Sequence, residues 1–170
     1  AIIGQFITIN AVYFILNFKF PFLLTNLVIF FGIFSNLYLI YIYQKTQLSD
    51  ASAFFFLMID ILQLSFLIYL TGGTVNPFVV FLIIPSVFSS SNLSFKTNSL
   101  LVSLTAISIV MLTFYSTDLP APLSEHFHVS QYYFYSIPIA LIIALFFLNY
   151  FAMTFGSQSR LRKDALSKME

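Results

Sequence analysis

Six long apolar stretches, separated by short polar segments, account for most of the chain. They cover residues 1–18, 22–43, 53–71, 78–91, 100–116 and 132–155. A hydrocarbon core of about 30 Å is crossed by roughly 20 apolar residues in a helix. The pattern therefore predicts six membrane-spanning helices, of which the fourth is short. The connections are residues 19–21, 44–52, 72–77, 92–99 and 117–131. Such short links make consecutive spans antiparallel neighbours. The expected fold is an all-α integral membrane protein, with six transmembrane helices in an antiparallel bundle.

Local chemistry refines the boundaries. Ser49 and Asp50 are placed to cap the third helix, and Thr97 and Asn98 the fifth. Tyr41, Tyr43, Tyr132, Tyr133 and Tyr135 fall where interfacial aromatics gather. Pro85 and Pro138 lie inside the fourth and sixth spans, where each removes a backbone donor and is expected to kink its helix. No internal repeat of the kind that marks many transporters is present, and no Gly-x-x-x-Gly face marks a helix–helix interface.

Composition makes lipid the natural solvent. Of 170 residues, 59% are hydrophobic and only 8% charged, and the mean hydropathy is +0.95. A soluble domain carries about 25% charged residues. These values exclude a disordered chain and a nucleic-acid-binding domain, and they argue against a water-soluble enzyme. The absence of Cys excludes thiol redox chemistry and thiolate metal sites within this stretch. Residues 1–18 lack the basic flank and cleavage site of a signal peptide, and the chain reads as a piece of a longer protein.

The net charge of +1 says little, whereas the position of each charge sets an orientation. If the first span runs outward, Lys45, Lys96, Arg160, Arg162, Lys163 and Lys168 all fall inside and Lys19 alone outside. The positive-inside rule then puts both ends in the cytoplasm.

The third span and the turn after it carry the most chemistry. Asp60 lies near mid-membrane, at a cost of about 2.5–3.5 kcal/mol on insertion scales. Twelve Phe, Leu and Ile residues in the same span return about 4–7 kcal/mol, so the helix still inserts. Gln63 follows three residues later, on the same face. The pair should point into the bundle, with Asp60 protonated or hydrogen-bonded to an amide such as Gln63, Asn36 or Asn17. It reads equally as interhelical glue and as a ligand or proton site.

The connection Gly72-Gly73-Thr74-Val75-Asn76-Pro77-Phe78 follows. Two glycines permit positive φ and close approach to bare backbone, and Pro77 suits the first turn of the next helix. Unpaired N–H groups of Gly73 to Val75 could hold a carbonyl oxygen, and Phe78 could cover a flat ring. A tight helical hairpin without a ligand is the plain alternative.

With Asp60-Ile-Leu-Gln-Leu and Tyr69-Leu-Thr-Gly-Gly-Thr-Val-Asn-Pro-Phe78, the chain resembles the membrane sensor of RegB/PrrB/ActS-type redox-responsive histidine kinases. Gly72, Gly73, Asn76, Pro77 and Phe78 fill that family's Gly-Gly-x-x-Asn-Pro-Phe hallmark, and Pro85 follows where the family usually has a proline. The resemblance implies a bacterial inner-membrane input domain over residues 1–156, with residues 157–170 starting a cytoplasmic signalling helix or linker. It implies binding of ubiquinone or another membrane quinone at Gly72, Gly73, Asn76, Pro77 and Phe78, with Asp60 and Gln63 behind them. It also implies a homodimer, whose cytoplasmic part would use ATP to autophosphorylate a histidine and pass the phosphoryl group to a response regulator. This chain lacks that phosphoacceptor and ATP-binding region, so no catalytic residue is assigned in it.

Two other classes compete. A small transporter or channel would use Asp60 in a proton or ion path, and a non-catalytic scaffold would use no ligand. A haem electron carrier is disfavoured, because no span contains His and Met58, Met111 and Met153 stand without partners. Glu125, His126 and His128 read as a solvated outer loop rather than a metal site. Leu161, Ala165 and Met169 recur at four-residue intervals, too few turns to establish a coiled coil.

Overall fold

The computed structural model describes residues 2–15, 17–42, 49–117 and 130–167, and from residue 160 onward the backbone alone. The described residues form six α-helices: α1 (Ile2–Phe14), α2 (Phe22–Ile42), α3 (Asp50–Tyr69), α4 (Ile83–Asn92), α5 (Phe95–Phe114) and α6 (Gln131–Ser167). Two 3-10 segments, Gly73–Val75 and Pro77–Leu82, link α3 to α4. Four helical stretches are long and apolar enough to cross a bilayer: α2, α3, α5 and Gln131–Ser159 of α6. Ile2–Phe14 and Pro77–Asn92 are apolar but shorter.

Capping chemistry sets two of the starts. The Ser49 hydroxyl accepts the Ser52 N–H at 3.2 Å and opens α3. The start of α5 differs from the sequence expectation. Ser94, not Thr97 or Asn98, holds the extended N-cap conformation, and its hydroxyl lies 2.8 Å from that of Thr97. Thr97 and Asn98 sit inside the first turn, because the Asn98 N–H already donates to the Ser94 carbonyl at 2.9 Å.

The fourth span also differs in its geometry. It starts as the 3-10 segment Pro77–Leu82 and becomes α-helical only at Ile83. Pro85 therefore sits in the first α-helical turn. The 3-10 segment runs directly into α4, so Pro85 still removes a donor to the preceding turn, as expected of a proline within the fourth span. Pro138 likewise lies within α6 as expected. That helix runs unbroken through residues 156 and 157, where the membrane part was expected to give way to the signalling segment.

The core sits among α3, the Pro77–Leu82 segment, α4, α5 and α6. Ile61, Leu82, Leu101, Ile109 and Leu145 are fully buried at its centre. No residue of α1 is buried, and α2 buries only Thr25, Ile29 and Gly32. The outer faces are strongly apolar, and Tyr41, Tyr132, Tyr133 and Tyr135 are exposed at helix ends. Water would not tolerate this surface, and a bilayer requires it.

α4 packs on α6 through small residues. Ser86, Ser89 and Ser90 are buried, and a Cβ on Gly156 would lie 3.0 Å from the backbone of Ser91. Small side chains let two helices approach closely, which is the main source of helix association in lipid. Ser89 Oγ also lies 2.6 Å from Asn98 Oδ1 and so ties α4 to α5.

α3 and α5 lie side by side in the same direction, joined at both ends. At one end the Asp50 carboxylate accepts the Ser94 N–H at 3.1 Å. At the other, the Thr117 N–H and hydroxyl donate to the Tyr69 carbonyl at 3.1 and 2.8 Å. Asp50→Ala is expected to lower stability by about 1 kcal/mol, whereas Asp50→Asn keeps an acceptor and most of the stability. Unfolding in mixed micelles measures both. Equal midpoints for Asp50→Ala and wild type would show that this end of the clamp contributes nothing.

Candidate functional site: a polar-floored cavity open to the bilayer

A cavity of about 810 Å³ lies between α1 and α2 on one side and the Pro77–Leu82 segment and α4 on the other, with α3 as its floor. That volume falls within the range of roughly 300–1,000 Å³ usual for small-molecule sites. Its walls are mostly aliphatic and aromatic, and several wall residues, including Ile3, Ile84 and Phe88, are also exposed at the protein surface. The cavity thus opens sideways, toward lipid.

Polar groups reach it at two levels. At the level of the loop after α3 stand Thr71 and Asn76. About 14 Å along the axis of α3 from its end at Tyr69 stands Asp60, at 1.5 Å rise per residue. Beside Asp60 stands Asn36 of α2, and one turn along α3 Gln63 meets Gln5 of α1; Thr8 of α1 also lines the cavity. The Asn36 side chain lies against the Asp60 carboxyl. Its amide also donates to the Gly32 carbonyl at 3.0 Å. Gln63, 6% exposed, donates to Gln5 Oε1 at 3.1 Å.

Of the three amides considered as partners for Asp60, the structure selects Asn36. Gln63 turns instead toward Gln5, and Asn17 lies beyond the end of α1 with left-handed backbone (φ 54°). Sequence reasoning missed Gln5, Thr8 and Thr71 as wall residues. An isolated Gln or Thr within an apolar helix is a faint signal, because such residues also serve as glue.

The five hallmark residues divide. Asn76 and Phe78 line the cavity, and Phe78 stacks on Phe81 with ring centroids 5.8 Å apart. Gly72, Gly73 and Pro77 are not among its lining residues. Gly72 and Gly73 take positive φ values of 110° and 60° and turn the chain out of α3. Gly73 packs against the end of α5, where a Cβ would meet the Ser116 side chain and approach the Leu112 carbonyl to 2.7 Å. Pro77 starts the following 3-10 segment, as its place in a first turn requires.

The loop is held by the Asn76 side chain. Its amide donates to the Thr71 carbonyl at 3.0 Å and to the Thr71 hydroxyl oxygen at 2.7 Å, and its Oδ1 accepts the Phe78 N–H at 2.9 Å. The Thr71 hydroxyl in turn donates to the Leu67 carbonyl at 2.8 Å. Gly73 to Val75 form a 3-10 turn closed by the Asn76 N–H on the Gly73 carbonyl, a bond that uses none of their own N–H groups, and none of the three lines the cavity. Among the described residues, Thr74 Oγ1 and Asn149 Oδ1 are buried without a hydrogen-bond partner. Glu125, His126 and His128 lie outside the described residues, as do Tyr43, Lys45, Lys168 and Met169. So do the side chains of Arg160, Leu161, Arg162, Lys163 and Ala165.

Six helices with apolar outer faces and a laterally open cavity define a multi-pass membrane domain. The chain belongs to the PilS-like transmembrane domain family, which it matches over residues 9–166. It is 29% identical to the sensor histidine kinase RegB of Cereibacter sphaeroides over 170 residues. That alignment takes in 98% of this chain and 36% of RegB, so the chain spans about a third of the length of this relative. No solved structure matches it.

Proposed function

We propose that this chain is the quinone-responsive input domain of a sensor histidine kinase. The relationship to RegB supports the sensor-kinase part. One observation supports the quinone: a single lipid-open cavity joins the Asp60–Gln63 stripe of α3 to Asn76 and Phe78 of the hallmark loop. A membrane quinone is flat, neutral and lipid-soluble, with two oxygens to satisfy. The cavity offers aromatic wall, apolar passage and buried polar groups in one space. Ubiquinone is the quinone that the hallmark favours.

In this reading consecutive helices alternate in direction across a bacterial inner membrane, and both ends are cytoplasmic. Six of the seven basic residues then lie inside. The continuous α6 carries the signal out of the membrane toward a dimeric kinase. That kinase takes phosphate from ATP and passes it to a response regulator. Gly72, Gly73 and Pro77 act by shaping the loop that presents Asn76 and Phe78.

The test is a titration of the chain in lipid nanodiscs with a short-tailed ubiquinone, followed by quenching of tyrosine fluorescence. Phe78→Ala removes part of the cavity's aromatic wall and is expected to weaken binding about tenfold. Saturable binding in wild type with no change in Phe78→Ala would remove the hallmark loop from the site, and no change on substituting any lining residue would remove the cavity. Absence of saturable binding would remove the quinone.

A further inference from the structure

We infer that the quinone headgroup is held deep in the membrane, at the level of Asp60, and that Gln5 and Asn36 are ligand-binding residues. This rests on the quinone reading above and changes where in the chain the recognition occurs. The argument is a count of hydrogen-bonding capacity. At the loop, both N–H groups of Asn76 are spent on Thr71, its Oδ1 holds the Phe78 N–H, and the Thr71 hydroxyl proton is spent on Leu67. A ligand carbonyl arriving there meets no free side-chain donor among these groups, and Thr74, whose buried hydroxyl has no partner, does not line the cavity.

The deeper level has capacity to spare. A glutamine amide carries two N–H groups and a carbonyl. Gln63 spends one N–H on Gln5 Oε1, which leaves its second N–H, its own carbonyl and the amide nitrogen of Gln5. The Asp60 carboxyl adds acceptor oxygens beside Asn36. Donors and acceptors therefore stand together on three helices around one space, walled elsewhere by apolar side chains. A headgroup with oxygens at its two ends matches such a set in either redox form: a carbonyl accepts from the amide N–H groups, and a hydroxyl donates a hydrogen bond to an Asp60 oxygen. The isoprenoid tail leaves through the side opening at Ile84.

The spare groups of Gln5, Asn36, Asp60 and Gln63 face the cavity, and polar groups left unpaired against lipid tails are costly, so the ligand binds where it satisfies them. The placement also gives α1 a role. No residue of α1 is buried, yet its Gln5 reaches across to Gln63. A headgroup that takes over the Gln63 amide loosens that link.

The experiment uses an azido-substituted short-tailed ubiquinone on the full chain in nanodiscs, with the labelled peptides mapped after illumination. Label is expected on residues 2–9, 33–40 and 57–64, and label confined to residues 71–81 would overturn the proposal. Gln5→Leu and Asn36→Leu are each expected to weaken binding about tenfold, the equivalent of one lost hydrogen bond of about 1.4 kcal/mol. Both substitutions make their helices more apolar, and retained helicity confirms that the variants insert. Unchanged affinity in both would also overturn the deep placement while leaving quinone binding in force. If wild type takes no probe, the quinone reading and this inference fall together.

Discussion

Gly73→Ala is expected to destabilise the domain by about 4 kcal/mol. Two costs combine. The residue holds φ +60°, a left-handed conformation that costs an L-residue about 1–2 kcal/mol. The added Cβ would also press on the Ser116 side chain and stand 2.7 Å from the Leu112 carbonyl, and overpacking of this kind costs roughly 1–3 kcal/mol. Since a domain is stable by only about 5–15 kcal/mol, a large share would be lost. Denaturation in mixed micelles reads the change directly. The companion variant Gly73→Ala/Ser116→Gly separates the two costs. It removes the side-chain clash and leaves the strain and the carbonyl contact, so part of the loss should return. A Gly73→Ala domain as stable as wild type would refute the described packing of this loop on α5.

Asn76→Ala is expected to cost about 3 kcal/mol and to abolish quinone binding together with the loop. The side chain is 8% exposed and makes three hydrogen bonds, two donated to Thr71 and one accepted from Phe78. Each contributes about 1 kcal/mol, and the partners left behind in the membrane find no water. Asn76→Asp keeps the Phe78 bond but aims a carboxylate oxygen at the Thr71 carbonyl, so it should be at least as damaging. The structural role makes a testable distinction from direct ligand contact: loss of binding must track loss of stability. An Asn76→Ala protein of wild-type stability that fails to bind quinone would return Asn76 to the ligand and weaken the deep placement.

The hairpin shows how far the sequence could be read. Gly-Gly and Asn-Pro announce a turn because only certain backbones tolerate positive φ or a missing N–H. The same residues could not disclose what they faced. Gly72 and Gly73 suggested bare backbone for a ligand, whereas Gly73 is small because α5 passes beside it. Asn76 suggested a ligand contact, whereas its donors are taken up by Thr71, five residues earlier. Pro85 shows the reverse case. The residue was legible as a helix perturbation, and the tertiary structure supplied its form: the segment winds as a 3-10 helix up to Leu82 and becomes α-helical just before it.

The start of α5 makes the same point on a smaller scale. Ser94, Thr97 and Asn98 can all cap, and propensity does not choose between them. The choice falls to Ser94, whose N–H is held by Asp50 across the bundle.

The sequence by itself determined the all-helical membrane class, the approximate helix boundaries, the shared face of Asp60 and Gln63, and the position of the turn at Gly72–Pro77. Each follows from a local cause: the length of an apolar run against bilayer thickness, the helical period, or the backbone freedom of one residue. Tertiary structure alone decided that Asp60 meets Asn36 and that Gln63 meets Gln5, fifty-eight residues away in the chain. It alone decided that Gly73 packs against the end of α5 while Asn76 and Phe78 face the cavity. Those pairings depend on how helices rotate against one another. In lipid the rotation is set by close packing of small residues and by satisfying polar groups across helices, neither of which is encoded within a single span.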